Sequence, residues 1–367
     1  METKTAVERG GNQLYDKKLW SKALPELSSF SSLVMETLKE TELCFPHLLN
    51  ASCVKPKHPH LETMLSYVLL SSISLLTPFL NLLVIISISH FKQLHTPTNI
   101  LTLSLAVSDF FVGLLMLFLV MYLDGCWYLG DLMCAVSQSV SSIITSTSVG
   151  NMVLISIDRY VAICDPLHYS TKVTQKTIKI WVFLCWTCSV IYQCVLLTVE
   201  QHSSYHSCFG ECIIFINYIV GFVDLSISFI APITVIVFLY MRVFVVAVSQ
   251  ARTMRSHTAA VTLQSSVKVI AKKSELKAAR TLSIVVVVFL ICLCPYYCVG
   301  LTGPDNMMNA SSAIFVIGLY HFNACVNPVI YALFYPWFRK SVKFIVTLKI
   351  LQPGSCETNI CSKHVEL

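Results

Sequence analysis

Two aspartates stand in long apolar runs. Asp224 is the only charged residue in YIVGFVDLSISFIAP (218–232), and Asp109 sits in LAVSDFF (105–111). A third acid, Asp158, is followed directly by Arg159 and Tyr160. A carboxylate among hydrocarbon side chains holds a proton, pairs with a neighbour, or meets a cation, because a bare charge is costly to remove from water. No Ser/His/Asp set, metal-ligand cluster or glycine-rich phosphate loop accompanies these acids. They offer cation binding and charge switching, and the chain is not expected to be an enzyme.

The elements that must position them are membrane helices. Of the 367 residues, 55% are hydrophobic and 13% charged, against roughly 25% charged in a soluble domain. Mean hydropathy is +0.69. Apolar stretches of crossing length, about 20 residues each, recur seven times: 64–90, 99–121, 134–163, 180–199, 217–241, 281–300 and 311–334. TLSIVVVVFLICLC (281–294) does not alternate as a barrel strand would, and helices satisfy their own backbone in lipid. The expected fold is an all-α membrane protein, a bundle of seven transmembrane helices. Orientation follows from the basic residues. Lys92, then Lys172, Lys176 and Lys179, then Arg242 through Arg280 occupy the loops after spans one, three and five. Loops 122–133, 200–216 and 301–310 hold no Lys or Arg. Odd loops and the C-terminus therefore face the cytosol, and the N-terminus lies outside, as in a multi-pass protein of the plasma membrane. The net charge of +6 is a topology signal, and no nucleic-acid partner is expected.

The chain is expected to divide into an extracellular segment (1–60), a seven-helix domain (61–335) and a cytoplasmic tail (336–367). PWFRKSVKFIVTLKIL (336–351) sets Trp337, Phe338, Val342, Ile345, Val346 and Leu348 around one side, with Arg339, Lys340 and Lys343 between. It reads as a short basic amphipathic helix on the inner lipid surface. Cys356 and Cys361 behind it are candidates for palmitoylation. Asn50 and Asn309 each head a glycosylation sequon on an outside segment; Asn50 is the better placed. Cys44, Cys53, Cys126, Cys134, Cys208 and Cys212 all face the oxidising side, and spacing alone does not pair them.

Asp158-Arg159-Tyr160 closes span three at the cytosolic face, and Asn327-Pro328-Val329-Ile330-Tyr331 lies deep in span seven, where Pro lets the helix bend. With Asn81 and Asp109 in spans one and two, these motifs resemble those of rhodopsin-like G-protein-coupled receptors over about residues 60–350. A narrower resemblance is carried by NACVNPVIYALFYPWF (323–338), KQLHTPTN (92–99) and ELCFPHLLNASC (42–53), which look like trace amine-associated receptors. On that resemblance Met35 is a natural start, and residues 1–34 read as a gene-model extension. It also implies a switch: Arg159 pairs with Asp158 and with Glu275 at rest, and meets Tyr240 and the heterotrimeric G protein on activation, with Tyr160, Asn327, Pro328 and Tyr331 as further parts. It implies a sodium site, of modulatory rather than catalytic use, at Asp109, Ser148, Asn323 and Asn327; no organic cofactor is expected. It implies disulfides Cys134–Cys212 and Cys208 with an N-terminal cysteine, Cys53 in preference to Cys44.

Three positions depart from the pattern. Leu293 stands in CLCP (292–295) where most such receptors have Trp, which leaves Phe289 and Tyr297 to carry that packing change. Leu80, not Gly, precedes Asn81. Ser141 stands where amine receptors hold their ligand-binding Asp, and no acid occurs from 134 to 157. A buried ammonium needs a counter-charge, and Asp224 is the only acid in span five. It lies roughly 10 Å below the helix mouth at 1.5 Å per residue. Some fish members of the resembled family carry their amine-binding acid in this helix, and the chain resembles that subgroup. A protonated core Asp, or one paired with a neighbouring helix, is the competing reading of Asp224; the vacancy at Ser141 and the depth favour ligand binding.

Ser141, Ser142 and Thr145 share a face of span three. Ser228 lies one turn below Asp224. Tyr296 and Tyr297 in span six and Ile317, Tyr320 and His321 in span seven complete the expected cleft, the tyrosines suiting a cation through their ring faces. Each of these has plain helix packing as its alternative role. The resulting expectation is a chemosensory, olfactory-type receptor for small amines, monoamines in preference to diamines, that raises cAMP through a stimulatory or olfactory-type G protein. The alternatives are a receptor for a non-amine ligand and a transporter; seven spans without internal repeats disfavour the latter.

Overall fold

The computed structural model describes residues 43–48, 51–55, 60–123, 126–200, 208–210, 212, 218–257, 284–299 and 310–360. Six helices are long and apolar enough to cross a bilayer, and the shorter apolar helix Ile284–Val299 stands in the sixth place. In order, the spans are His60–His90, Pro97–Leu123, Gly130–Cys164, Gln175–Glu200, the continuous run from Tyr218 to His257, Ile284–Val299 and Ala310–Phe334. The third has 35 residues, about 52 Å at 1.5 Å per residue. It outruns the hydrocarbon layer of about 30 Å and so carries Asp158 and Arg159 to the inner surface. The fifth extends past its apolar stretch to His257, as the basic third inner loop leads one to expect.

The bundle turns large apolar side chains outward. Phe183, Phe222, Phe238 and Leu333 are exposed, as suits a lipid surface. The interior mixes an apolar cluster with polar groups. Met152, Ile155, Ile236, Val285, Phe289 and Tyr331 pack together from spans three, five, six and seven. Asn81, Ser108, Asp109, Asn151 and Asn327 are at most 1% exposed. In hydrocarbon a polar group needs a partner, so these atoms tie helices together. Asn81 Nδ2 donates to the Thr77 carbonyl at 2.9 Å and to the Ala324 carbonyl at 3.0 Å, joining spans one and seven. Ser104 Oγ donates to Asn151 Oδ1 at 2.9 Å and accepts from Trp186 Nε1 at 3.1 Å, joining spans two, three and four. Gly113 lets span two approach span one, because a Cβ there would overlap Pro78.

Outside the bilayer the N-terminal strip is stitched to two loops. Cys53–Cys208 and Cys134–Cys212 are both bonded. A third bridge, Cys44–Cys126, joins the strip to the loop between spans two and three, a pairing that spacing did not reveal. Short bridges Leu43↔Val54 and Ser52↔Phe209 and the bond from Cys53 N to the Phe209 carbonyl run between them. Gly210 takes a φ of 104° beside Cys44, where a larger residue would be both strained and crowded.

The tail helix spans Pro336–Val346, shorter than the expected 336–351. Leu348 adopts a left-handed conformation, φ 56°, and turns the chain back. Ile360 thereby buries against Phe91 and Leu94 of the first inner loop, with His90 Nε2 to Ser355 Oγ at 2.9 Å and Lys92 Nζ to Glu357 at 3.0 Å. Residues 1–42, Asn50, Glu275, Asn309 and Cys361 lie outside the described residues.

Candidate functional site

Spans two, three, five, six and seven enclose a cavity of about 360 Å³. All nine residues expected to meet ligand line it: Ser141, Ser142, Thr145, Asp224, Ser228, Tyr296, Tyr297, Tyr320 and His321, with Ile317. Leu115, Phe118, Ser137, Gln138 and Ser146 line it too and were not expected. Ser137, Gln138 and Ser146 extend the stripe of Ser141 and Ser142 by one turn each way, a signal that helical spacing carried. Leu115 and Phe118 had none, being two apolar residues among many in span two.

Asp224 is half-buried and braced. Its Oδ1 accepts from Tyr192 Oη of span four at 2.8 Å and from Ser228 Oγ at 2.9 Å. Its Oδ2 accepts no hydrogen bond among the described residues. Immediately after Asp224, Ser226–Ile230 form a π-helical turn. Such a turn inserts an extra residue and re-aims the side chains around it. Tyr192 is a functional partner that the sequence concealed, since a tyrosine at the edge of span four has no linear relation to span five.

The aromatic wall packs on itself. Phe229 stacks on Tyr297 at 4.1 Å, Tyr296 lies 4.5 Å from Tyr320, and Tyr320 lies 5.1 Å from His321. His321 Nδ1 sits 2.8 Å from the Ile317 carbonyl. A carbonyl only accepts, so Nδ1 carries the proton and, in the neutral ring, Nε2 remains an acceptor.

A smaller cavity of about 30 Å³ lies deeper, lined by Asp109, Ser148 and Asn323 together with Leu293, Phe289 and Tyr320. Asn327, the fourth residue of the expected sodium set, reaches it through Asp109: its Nδ2 donates to Asp109 Oδ2 at 2.7 Å. Oδ1 of Asp109, of Asn323 and of Asn327 are buried without a hydrogen-bond partner. A cluster of oxygens with unmet acceptor capacity fits a hard cation such as sodium. Leu293 lines this deeper cavity and is only 3% exposed, while Thr145 and Tyr320 line both cavities.

At the inner end, Arg159 Nε and Nη2 donate to Asp158 Oδ2 at 3.0 and 2.5 Å. Asp158 also accepts from Thr98 Oγ1 at 2.9 Å and from Tyr169 Oη at 2.8 Å. Thr98 and Tyr169 are partners the motif alone did not name. Tyr160 packs with Ile163 and Val243. The hydroxyls of Tyr240 and Tyr331 are buried without partners, and span seven carries Pro328 within its helix. Asp165, in the short turn beyond, is partly exposed and is held at a pKa of about 2 by hydrogen bonds from Lys172 and His168.

Comparison with known proteins agrees with this architecture. Residues 80–331 match the family described as 7 transmembrane receptor (rhodopsin family). The chain is 36% identical over 332 residues to trace amine-associated receptor 13c of Danio rerio, covering 87% of this chain and 96% of that protein. It is 33% identical to trace amine-associated receptor 4 of Mus musculus, covering 89% and 97%, and 34% identical to trace amine-associated receptor 1 of Homo sapiens, covering 88% and 98%. A bundle of apolar helices, a braced acid in a membrane-depth cavity, and an Asp–Arg pair at the inner end thus meet matching relatives along nearly their full length: the chain is a multi-pass membrane receptor that belongs to the rhodopsin family and, within it, to the trace amine-associated receptors.

Proposed function

We propose that this receptor senses a small amine whose ammonium is held by Asp224. The observation that carries the reading is the state of that carboxylate: one oxygen braced by Tyr192 and Ser228, the other without a bond among the described residues, at the wall of a cavity of about 360 Å³. An amine brings the counter-charge this oxygen lacks, and the opposite wall, 134–157, supplies no competing acid. The charged end of the ligand then lies toward span five, as in the fish-type subgroup. One acid in the cavity suits a monoamine. Sodium is held at the deeper site by Asp109, Ser148, Asn323 and Asn327, and acts as a modulator.

The Asp158–Arg159 pair corresponds to the resting switch, and its release frees Arg159 for Tyr240 and the G protein. A stimulatory or olfactory-type G protein, cAMP as messenger, a chemosensory role, a place in the plasma membrane and an extracellular N-terminus complete the reading. It rests on the family, on the basic inner loops and on the disulfide-linked outer strip. The three-part division at residues 60 and 335 follows the same boundaries. The test is a cAMP assay across an amine panel with wild type and Asp224→Asn at matched surface expression. An amine response lost in Asp224→Asn supports the anchor; an undiminished response from that variant refutes it.

A further inference from the structure

We infer that the ligand is an amino alcohol, an amine carrying a hydroxyl at its uncharged end, received by free hydroxyls on span three and by His321. This rests on the reading of Asp224 as the ammonium anchor.

Span three treats its hydroxyls in two ways. Most are consumed by their own helix: Ser137, although it lines the cavity, donates to the Cys134 carbonyl at 2.9 Å, Ser139 to Ala135 at 2.6 Å, Thr147 to Ile143 at 2.8 Å and Ser156 to Met152 at 2.7 Å. This is the usual resort of Ser and Thr in an apolar helix. Ser141, Ser142 and Ser146 line the cavity and donate to nothing among the described residues. Ser142 and Ser146 lie one turn apart on one face, and Ser141 lines the same cavity beside Ser142. His321 adds an acceptor, because its Nδ1 proton is taken by the Ile317 carbonyl at 2.8 Å and Nε2 is left with a lone pair.

The groups gathered here are therefore of both kinds, hydroxyls that donate and an imidazole nitrogen that accepts. A ligand hydroxyl is the smallest group that answers both at once. An alkyl end would displace the water that solvates these groups without replacing its bonds, which lowers affinity. An ether or ester end would satisfy the serines and leave His321 unmet. A second ammonium would find no acid on this wall. The apolar Leu115, Phe118 and Ile317 leave room for a short hydrocarbon chain between the two ends.

The test compares aminobutanol, with its hydroxyl on the far terminal carbon, against its isostere pentylamine, in cAMP assays of the full-length receptor in cells. The expected result is an EC50 for aminobutanol about tenfold below that of pentylamine. The ratio should fall to near one in Ser142→Ala and in Ser141→Ala/Ser146→Ala. His321→Phe should narrow it as well. A wild-type difference of less than about threefold, or one that persists in the serine variants, overturns the inference. If both amines act through Asp224, as shown by loss of both responses in Asp224→Asn, that failure leaves the anchor standing. If neither amine acts while other amines of the panel give a response lost in Asp224→Asn, this inference fails and the anchor stands; if amine responses persist undiminished in Asp224→Asn, the anchor fails and this inference fails with it.

Discussion

Asp109 and Asp224 are the same residue in the same kind of helix, and the bundle makes different things of them. Asp109 is 1% exposed, takes one bond from Asn327 and borders a space of about 30 Å³. That space admits an ion and little more. Asp224 is half-buried, is braced by two hydroxyls on one oxygen and opens on a cavity more than ten times larger. The difference lies in what surrounds each carboxylate. Near Asp109 the amide oxygens of Asn323 and Asn327 are buried without hydrogen-bond partners. Hydroxyl donors around Asp224 fix its orientation and leave its charge to face the cavity.

The widest separation between the two should appear when each loses its charge. Asp224→Asn should raise the EC50 for amines by more than about a hundredfold, the scale expected when one partner of a buried ion pair is removed, about 3–5 kcal/mol, with surface expression kept. Asp109→Asn should instead abolish the effect of sodium: amine potency measured in sodium chloride and in N-methylglucamine chloride should become equal. An unaltered sodium dependence would break the contrast. Ser141→Asp tests the other side of it, by placing a second carboxylate on the opposite wall; diamine responses should appear or strengthen, and an unchanged ligand profile would count against this cleft. Tyr192→Phe sharpens the role of the brace. Losing one hydrogen bond to the charged carboxylate, about 1.5 kcal/mol, should weaken amines about tenfold, with the amine profile kept. The smallest effect on ligand response belongs to Cys44→Ser/Cys126→Ser. The bridge lies in the outer strip and closes a loop of 82 residues, so its loss should lower the unfolding temperature of the purified receptor by several degrees, as about 2–4 kcal/mol for a disulfide implies.

Much of this was legible without coordinates. Seven apolar stretches and an uneven spread of Lys and Arg specify spans and sidedness, because hydrocarbon accepts only helices with their backbone bonds closed. The nine cleft residues were legible for a related reason: helical spacing assigns Ser141, Ser142 and Thr145 to one face, and depth along a helix follows from counting. What was hidden shares one property. Tyr192 reaches Asp224 from another span, Thr98 and Tyr169 reach Asp158 from other segments, and Cys44 meets Cys126 across 82 residues. None of these contacts leaves a period or a spacing in the chain. The tail helix is shorter than its amphipathic stretch: it ends at Val346, Leu348 turns left-handed, and Ile360 beyond it buries against Phe91 and Leu94, a contact invisible to local amphipathicity.

The sequence by itself determined that this chain crosses a membrane as helices, that its Lys and Arg gather in alternate loops, and that span three lacks an acid from 134 to 157 while span five holds Asp224. Those are consequences of solvent preference and of the count of residues along an axis. Only the tertiary structure decided that Asp224 is braced on one oxygen and open on the other, that three serines of span three stay free while their neighbours bond their own helix, and that Asp109 faces a space fit for an ion. These depend on which helices pack together and how each is rotated about its axis, and rotation is settled by packing between segments that the linear order keeps apart.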